Sequence, residues 1–127
     1  MARILLVDDD DAIRGMLRRM LVSAGFEVEE AANGNVALAA YGRQPSDLVI
    51  TDLVMPEKDG LETITELRRL DPAVKIIVMS GGGRSLEPGQ LYLESARTVG
   101  ALRVLSKPFS ASALLKAVSD VLPSPRA

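Results

Sequence analysis

Short unbroken apolar runs alternate along this chain with stretches whose apolar residues recur at helical spacing. Residues 4–7, Ile4-Leu5-Leu6-Val7, form a run of the kind that fills a strand buried on both faces of a parallel sheet. From Asp11 onward the apolar positions are Ile13, Met16, Leu17, Met20, Leu21 and Ala24, the stripe of an amphipathic helix, and Gly25 follows as its stop. Residues 26–31 predict a second strand, a weak one because Val28 sits among Glu27, Glu29 and Glu30. Asn33-Gly34 is a turn signal, and residues 36–41 predict a short helix ahead of Pro45. A third strand follows over 48–51, a helix over 61–70 with Leu61, Ile64, Leu67 and Leu70 on one face, and a fourth strand over 74–79. Residues 80–90 carry Gly81-Gly82-Gly83 and Pro88-Gly89 and read as a loop. Residues 91–99 predict a helix, 102–105 a fifth strand, and Ser110 caps a last helix running to Leu122.

Fivefold strand–helix alternation predicts an α/β sandwich with a parallel sheet and right-handed crossovers. The expected organisation is one domain over residues 1–122 and a short tail over 123–127, with no output domain.

Composition narrows the chemistry. The 127 residues include no His and no Cys, which excludes an imidazole general base, a His-ligated metal, a thiolate nucleophile and a disulfide framework. Aromatic residues make up 3%, Trp is absent and the net charge is −2, so neither a base-stacking platform nor a phosphate-binding basic face is expected. No direct nucleic-acid contact is therefore anticipated. The four apolar residues near the N-terminus are too few for a signal-peptide core or a membrane span, leaving a cytoplasmic protein with no membrane partner as the expectation. What remains is hard-oxygen chemistry: carboxylates, hydroxyls, Lys and Arg.

In open α/β sheets, ligands lie beyond the carboxyl ends of the strands, at the point where strand order reverses. Asp8 and Asp9 directly follow the first predicted strand, Asp52 follows the third, Ser80 the fourth and Lys107 the fifth. Residues up to a hundred positions apart are thus directed to one edge of the sheet. Three carboxylates gathered there repel one another. A divalent cation with oxygen ligands relieves this, and Mg²⁺ commonly takes one or two carboxylates while keeping several waters. Lys107 adds a point charge and Ser80 a hydroxyl, so the set could stabilise a phosphoryl group on a carboxylate. Each residue taken singly has a plainer reading. A run of four Asp is often a solvated loop, and Asp10 or Asp11 serves as N-cap of the first helix.

The segments Ile4 to Asp10, Ile50-Thr51-Asp52-Leu53-Val54-Met55-Pro56 with Asp59-Gly60, Ile77-Val78-Met79-Ser80-Gly81 and Lys107-Pro108-Phe109 resemble the receiver domain of bacterial two-component response regulators, of the single-domain, chemotaxis-regulator kind. The resemblance runs from the first strand to the last helix. It implies a flavodoxin-like doubly wound (βα)5 sandwich with strand order 2-1-3-4-5. It implies Asp52 as phospho-acceptor, with Lys107 and Ser80 contacting the phosphoryl group. Asp8, Asp9, Asp52 and the backbone carbonyl of Val54 would hold Mg²⁺ (or Mn²⁺). The implied partners are a sensor histidine kinase or histidine phosphotransfer protein, and a downstream protein target met through the face of the fourth helix, fifth strand and last helix.

Two departures stand out. Receivers often carry an aromatic residue on the fifth strand shortly before the Lys, where this chain has Val104 and Leu105, and the interval from Ser80 to Lys107 is a few residues longer than usual. Two other functions compete. A binding module on the same fold that needs no phosphorylation is disfavoured by the intact set of Asp8, Asp9, Asp52, Ser80 and Lys107. A haloacid-dehalogenase-type phosphatase would need Thr or Val at position 12, where this chain has Ala12.

Overall fold

In the computed structural model, the described residues are 2–52, 60–80, 102–106 and 109–122. Five strands, β1 (Arg3–Val7), β2 (Glu27–Ala31), β3 (Leu48–Asp52), β4 (Ile76–Ser80) and β5 (Arg103–Ser106), form one parallel sheet in the order β2-β1-β3-β4-β5. Among the described residues there are four helices: α1 (Asp11–Ser23), α2 (Gly34–Arg43), α3 (Gly60–Leu70) and α4 (Ala111–Val121). The doubly wound class and strand order expected from the sequence are those observed. The predicted helix over 91–99, the loop beyond Ser80 and the tail over 123–127 lie outside the described residues.

The pleat sends alternate strand residues to opposite faces, and both faces are covered. Ile4 and Leu6 of β1, Leu48 and Ile50 of β3, and Ile77 and Met79 of β4 pack with Leu17 and Leu21 of α1 and Leu114 and Val118 of α4. Leu5 and Val7, Val49, and Ile76 and Val78 pack on the other side with Ala37, Ala40 and Tyr41 of α2 and Ile64 and Leu67 of α3. This double burial is why β1 reads as an unbroken apolar run.

The edge strand β2 obeys a different rule. Its glutamates form ion pairs: Arg3 with Glu27 at 2.8 Å and with Glu29, and Arg14 and Arg18 with Glu30. Charge on an outermost strand also discourages pairing with another chain. The acidic composition that weakened the strand signal is thus appropriate to an edge.

Boundaries differ from the sequence reading where side chains cap the backbone. Asn33 is an N-cap and not a hairpin-type turn; its side chain accepts from Val36 N at 2.9 Å, so α2 starts at Gly34. β4 begins at Ile76 because Asp71 holds a turn, its Oδ1 accepting from Ala73 N and its carbonyl from Val74 N. Gly25 does carry the positive φ (99°) expected after α1.

That same Asp71 ties α3 to α2, since the Tyr41 hydroxyl donates to Asp71 Oδ2 at 2.7 Å. The bond holds the Asp71 carboxyl below the usual carboxylate range, while burial and the neighbouring carboxylate raise the Tyr41 phenol above its ordinary value. A carboxylate whose pKa falls on folding contributes stability above its unfolded pKa, and that contribution is lost as pH falls through the folded value. Tyr41→Phe is therefore expected to lower urea-unfolding stability at pH 7, with the gap from wild type narrowing below about pH 4, near the unfolded carboxylate value. A gap independent of pH would contradict this.

Candidate functional site

The strand order reverses between β1 and β3, because the chain leaves β1 toward β2 on one side and later returns to β3 on the other. Val7 pairs with Thr51 in register, which brings Asp8 and Asp52 to the same step at the carboxyl ends of adjacent strands. The carboxylates of Asp8, Asp9 and Asp52 each offer an oxygen that lies within 4.8 Å of the other two. Asp8 and Asp52 are buried, whereas Asp9 is exposed. Among the described residues, the switch point is therefore lined by acid, with two carboxylates buried and one exposed.

The four consecutive aspartates separate into distinct tasks. Asp8 is tied down at both ends: its N–H donates to Ala31 carbonyl at 3.1 Å, and its Oδ1 accepts from Asp10 N at 2.9 Å. Asp9 turns outward beside the buried pair. Asp10, rather than Asp11, is the N-cap of α1, its Oδ1 accepting from Ala12 N and Ile13 N at 3.0 Å each. Asp11, in the first turn, pairs with Arg14 at 2.6 Å. On β3, the buried Thr51 hydroxyl donates to the Asp52 carbonyl at 3.0 Å.

Other expected site residues are placed only in part. The backbone of Ser80 ends β4 and pairs with Ser106 at the end of β5, beyond the row of Asp52 and Met79. Lys107, the next residue in the chain, and Val54 lie outside the described residues. Two residues beside the site were missed in the sequence: Arg14 of α1, which donates to the Asp8 carbonyl, and Glu30 of β2, which accepts from Arg14. The three-residue spacing of Asp11 and Arg14 on one helix was the available signal.

The donor set suits a hard cation. It offers carboxylate oxygens only, in a chain without His or Cys, and among the described residues it is the one cluster of three acidic groups close enough to share an ion.

Against known proteins, residues 4–119 match the response regulator receiver domain family. The chain belongs to that family. It is 38% identical over 120 residues to the chemotaxis protein CheY of Thermotoga maritima, covering 94% of this chain and 96% of that one. It is also 38% identical to CheY of Bacillus subtilis over 121 residues, with 94% and 97% covered. Among solved structures, CheY4 of Vibrio cholerae superposes with a TM-score of 0.84 at 36% identity, over 96% of this chain and 99% of that one. The same unit occurs within longer proteins: a match to the transcriptional regulatory protein GlrR of Escherichia coli, 33% identical, covers 95% of this chain but 26% of GlrR. This is a CheY-like receiver of two-component signalling, a family in which acidic residues bind Mg²⁺. No helix among the described residues is long and apolar enough to cross a membrane.

The receiver's acidic loop depends on its cap. Asp10→Ala is expected to lower unfolding free energy by about 1 kcal/mol, and Asp10→Asn, which keeps the acceptor, by only a few tenths. Equal losses in the two variants on urea denaturation would show that charge rather than capping is at work.

Proposed function

We propose that the chain accepts a phosphoryl group on Asp52 from the phosphohistidine of a sensor kinase or phosphotransfer protein, and passes the signal to a protein target or onward in a relay. The observation that carries this reading is the gathering of Asp8, Asp9 and Asp52 oxygens within 4.8 Å at the switch point of a receiver fold. The chain contains no His, so the phosphoryl donor has to come from outside it.

An oxygen of Asp52 attacks phosphorus in line, forming the O–P bond as the P–N bond to the donor's imidazole breaks and the imidazole departs with the electron pair. Asp8, Asp9 and Asp52, together with the Val54 carbonyl that the family resemblance implies, would hold Mg²⁺ (or Mn²⁺), which when bound would supply positive charge to offset the negative charge spreading over the phosphoryl oxygens. Lys107, next in the chain after Ser106 of β5, is proposed to supply a second positive charge to the phosphoryl group. Hydrolysis of the acyl phosphate by water returns Asp52 to its carboxylate form with release of inorganic phosphate.

The product adds roughly 1.5 to 2 negative charges at the sheet edge, which draws in the Ser80 hydroxyl as a hydrogen-bond donor. Movement there is proposed to bias a two-state equilibrium on the face that β5 and α4 share with the helix predicted from the sequence over 91–99, the surface proposed to meet targets. With Val104 and Leu105 in place of an aromatic residue, an aliphatic side chain must transmit the change; Leu105 is half-buried and packs against the cluster that includes Leu114 and Met79. The receiver unit is read as residues 1–122.

Intact-mass spectrometry after incubation with acetyl phosphate tests the reading. Wild type is expected to gain one phosphoryl group only with Mg²⁺ present, Asp52→Ala none, and Asp9→Ala to be phosphorylated at least about tenfold more slowly, as loss of charge stabilisation in a transition state commonly costs. No gain in wild type with acetyl phosphate, phosphoramidate or a donor phosphohistidine would favour a binding module that works without phosphorylation.

A further inference from the structure

Arg14 has all three kinds of guanidinium nitrogen engaged with different partners around the acidic loop. Its Nη1 donates to the Asp8 backbone carbonyl at 2.6 Å, its Nη2 to Asp11 Oδ1 at 2.6 Å and its Nε to Glu30 Oε1 at 3.0 Å. The side chain is only 14% exposed. Glu30, on the edge strand, also pairs with Arg18 at 3.5 Å, which anchors the acceptor from a second side.

The position of the first contact matters most. The Asp8 carbonyl belongs to the peptide plane that joins Asp8 to Asp9. Arg14 therefore fixes the orientation of the link between a buried carboxylate and its exposed neighbour. The Asp8 N–H and side chain are held separately, by Ala31 and by Asp10 N. Without Arg14, the anchors at the Asp8 N–H and at Asp10 would remain, but the carbonyl of the Asp8–Asp9 peptide would lose its side-chain partner, leaving that peptide plane and the Asp9 carboxylate freer to turn.

We propose that Arg14, braced by Glu30, is a positioning residue for the cation-binding carboxylates, holding Asp9 in the orientation in which it and Asp8 share an ion with Asp52. The inference rests on the cation-site reading above. It has a sign that separates it from electrostatics. A guanidinium near a cation site repels the cation, so removing its charge should tighten Mg²⁺ binding if charge alone mattered. Removing a positioning contact should weaken it. A merely structural role would lower the melting temperature and leave the affinity of the folded protein unchanged.

Mg²⁺ dissociation constants measured by calorimetry at a temperature where each variant is folded decide between these. Arg14→Met keeps the apolar stem and removes the donors. It is expected to weaken Mg²⁺ binding about tenfold, the lower end of what loss of a contact behind a metal ligand costs. Arg14→Lys retains the charge without the planar fork and should recover only part of that loss. Glu30→Gln leaves Arg14 in place but loosens its brace, and is expected to weaken binding in the same direction by about twofold to threefold; it carries the test if Arg14→Met does not fold. Unchanged or tighter Mg²⁺ binding in folded Arg14→Met, or in Glu30→Gln if that is the variant read, would overturn the role of Arg14 while leaving the cation site intact. Failure of wild type to bind Mg²⁺ at all would overturn both.

Discussion

Three carboxylates with oxygens inside 4.8 Å of one another, two of them buried, repel, and the surrounding structure has to hold them together. Between two unit charges at that separation, as on the buried Asp8 and Asp52, the bare repulsion is on the order of 3 kcal/mol at an effective dielectric near 20, before other partners of these side chains offset it. That is a sizeable part of the 5–15 kcal/mol by which domains are typically stable. The sheet absorbs it. β1 and β3 are fixed side by side by parallel pairing from Ile4 with Leu48 to Val7 with Thr51, and each is packed on both faces by fully buried side chains. Neither strand can slip to separate the acids without exposing part of two hydrophobic clusters. Crowding of like charges, maintained by a core that does not take part in the chemistry, is a recurrent feature of functional sites.

Polar contacts complete what packing begins. The β1–α1 connection is held at the Asp8 N–H by β2, at the Asp8 side chain by the next turn, at the Asp8 carbonyl by Arg14, and at the helix start by Asp10. The desolvation of Arg14 works against its charge, and the hydrogen bonds and charges of Asp11 and Glu30 outweigh it, holding its pKa above the ordinary guanidinium value. The edge strand thus contributes to the site although none of its residues is a candidate ligand. Its Glu30 holds Arg14, which in turn donates to the Asp8 carbonyl.

Much of this was legible in the sequence, for definite physical reasons. Doubly buried strands give continuous apolar runs, so residues 4–7 and 48–51 stood out, and α1 stood out through Leu17 and Leu21. The rule that ligands gather at strand carboxyl ends brings Asp8, Asp9 and Asp52 together from the sequence alone. What stayed hidden depended on side-chain capping and on salt bridges between distant elements. Asn33-Gly34 has the composition of a turn, and only the Asn33 bond to Val36 N makes it a helix start. Asp10 and Asp11 were equivalent as caps until geometry chose Asp10. The link from Glu30 to Arg14 joins residues sixteen apart on different elements, and no local periodicity encodes it.

The central claim is that the acidic cluster costs the protein stability in return for a cation site that prepares Asp52 for phosphorylation. Thermal unfolding of wild type and Asp52→Asn, each with and without Mg²⁺, tests it most directly. Without the ion, the variant should melt higher than wild type because one of the crowded charges is gone. With Mg²⁺, wild type should gain more than the variant, and the gap should close. A variant that melts no higher than wild type without Mg²⁺, together with equal gains in both on adding the ion, would contradict the account.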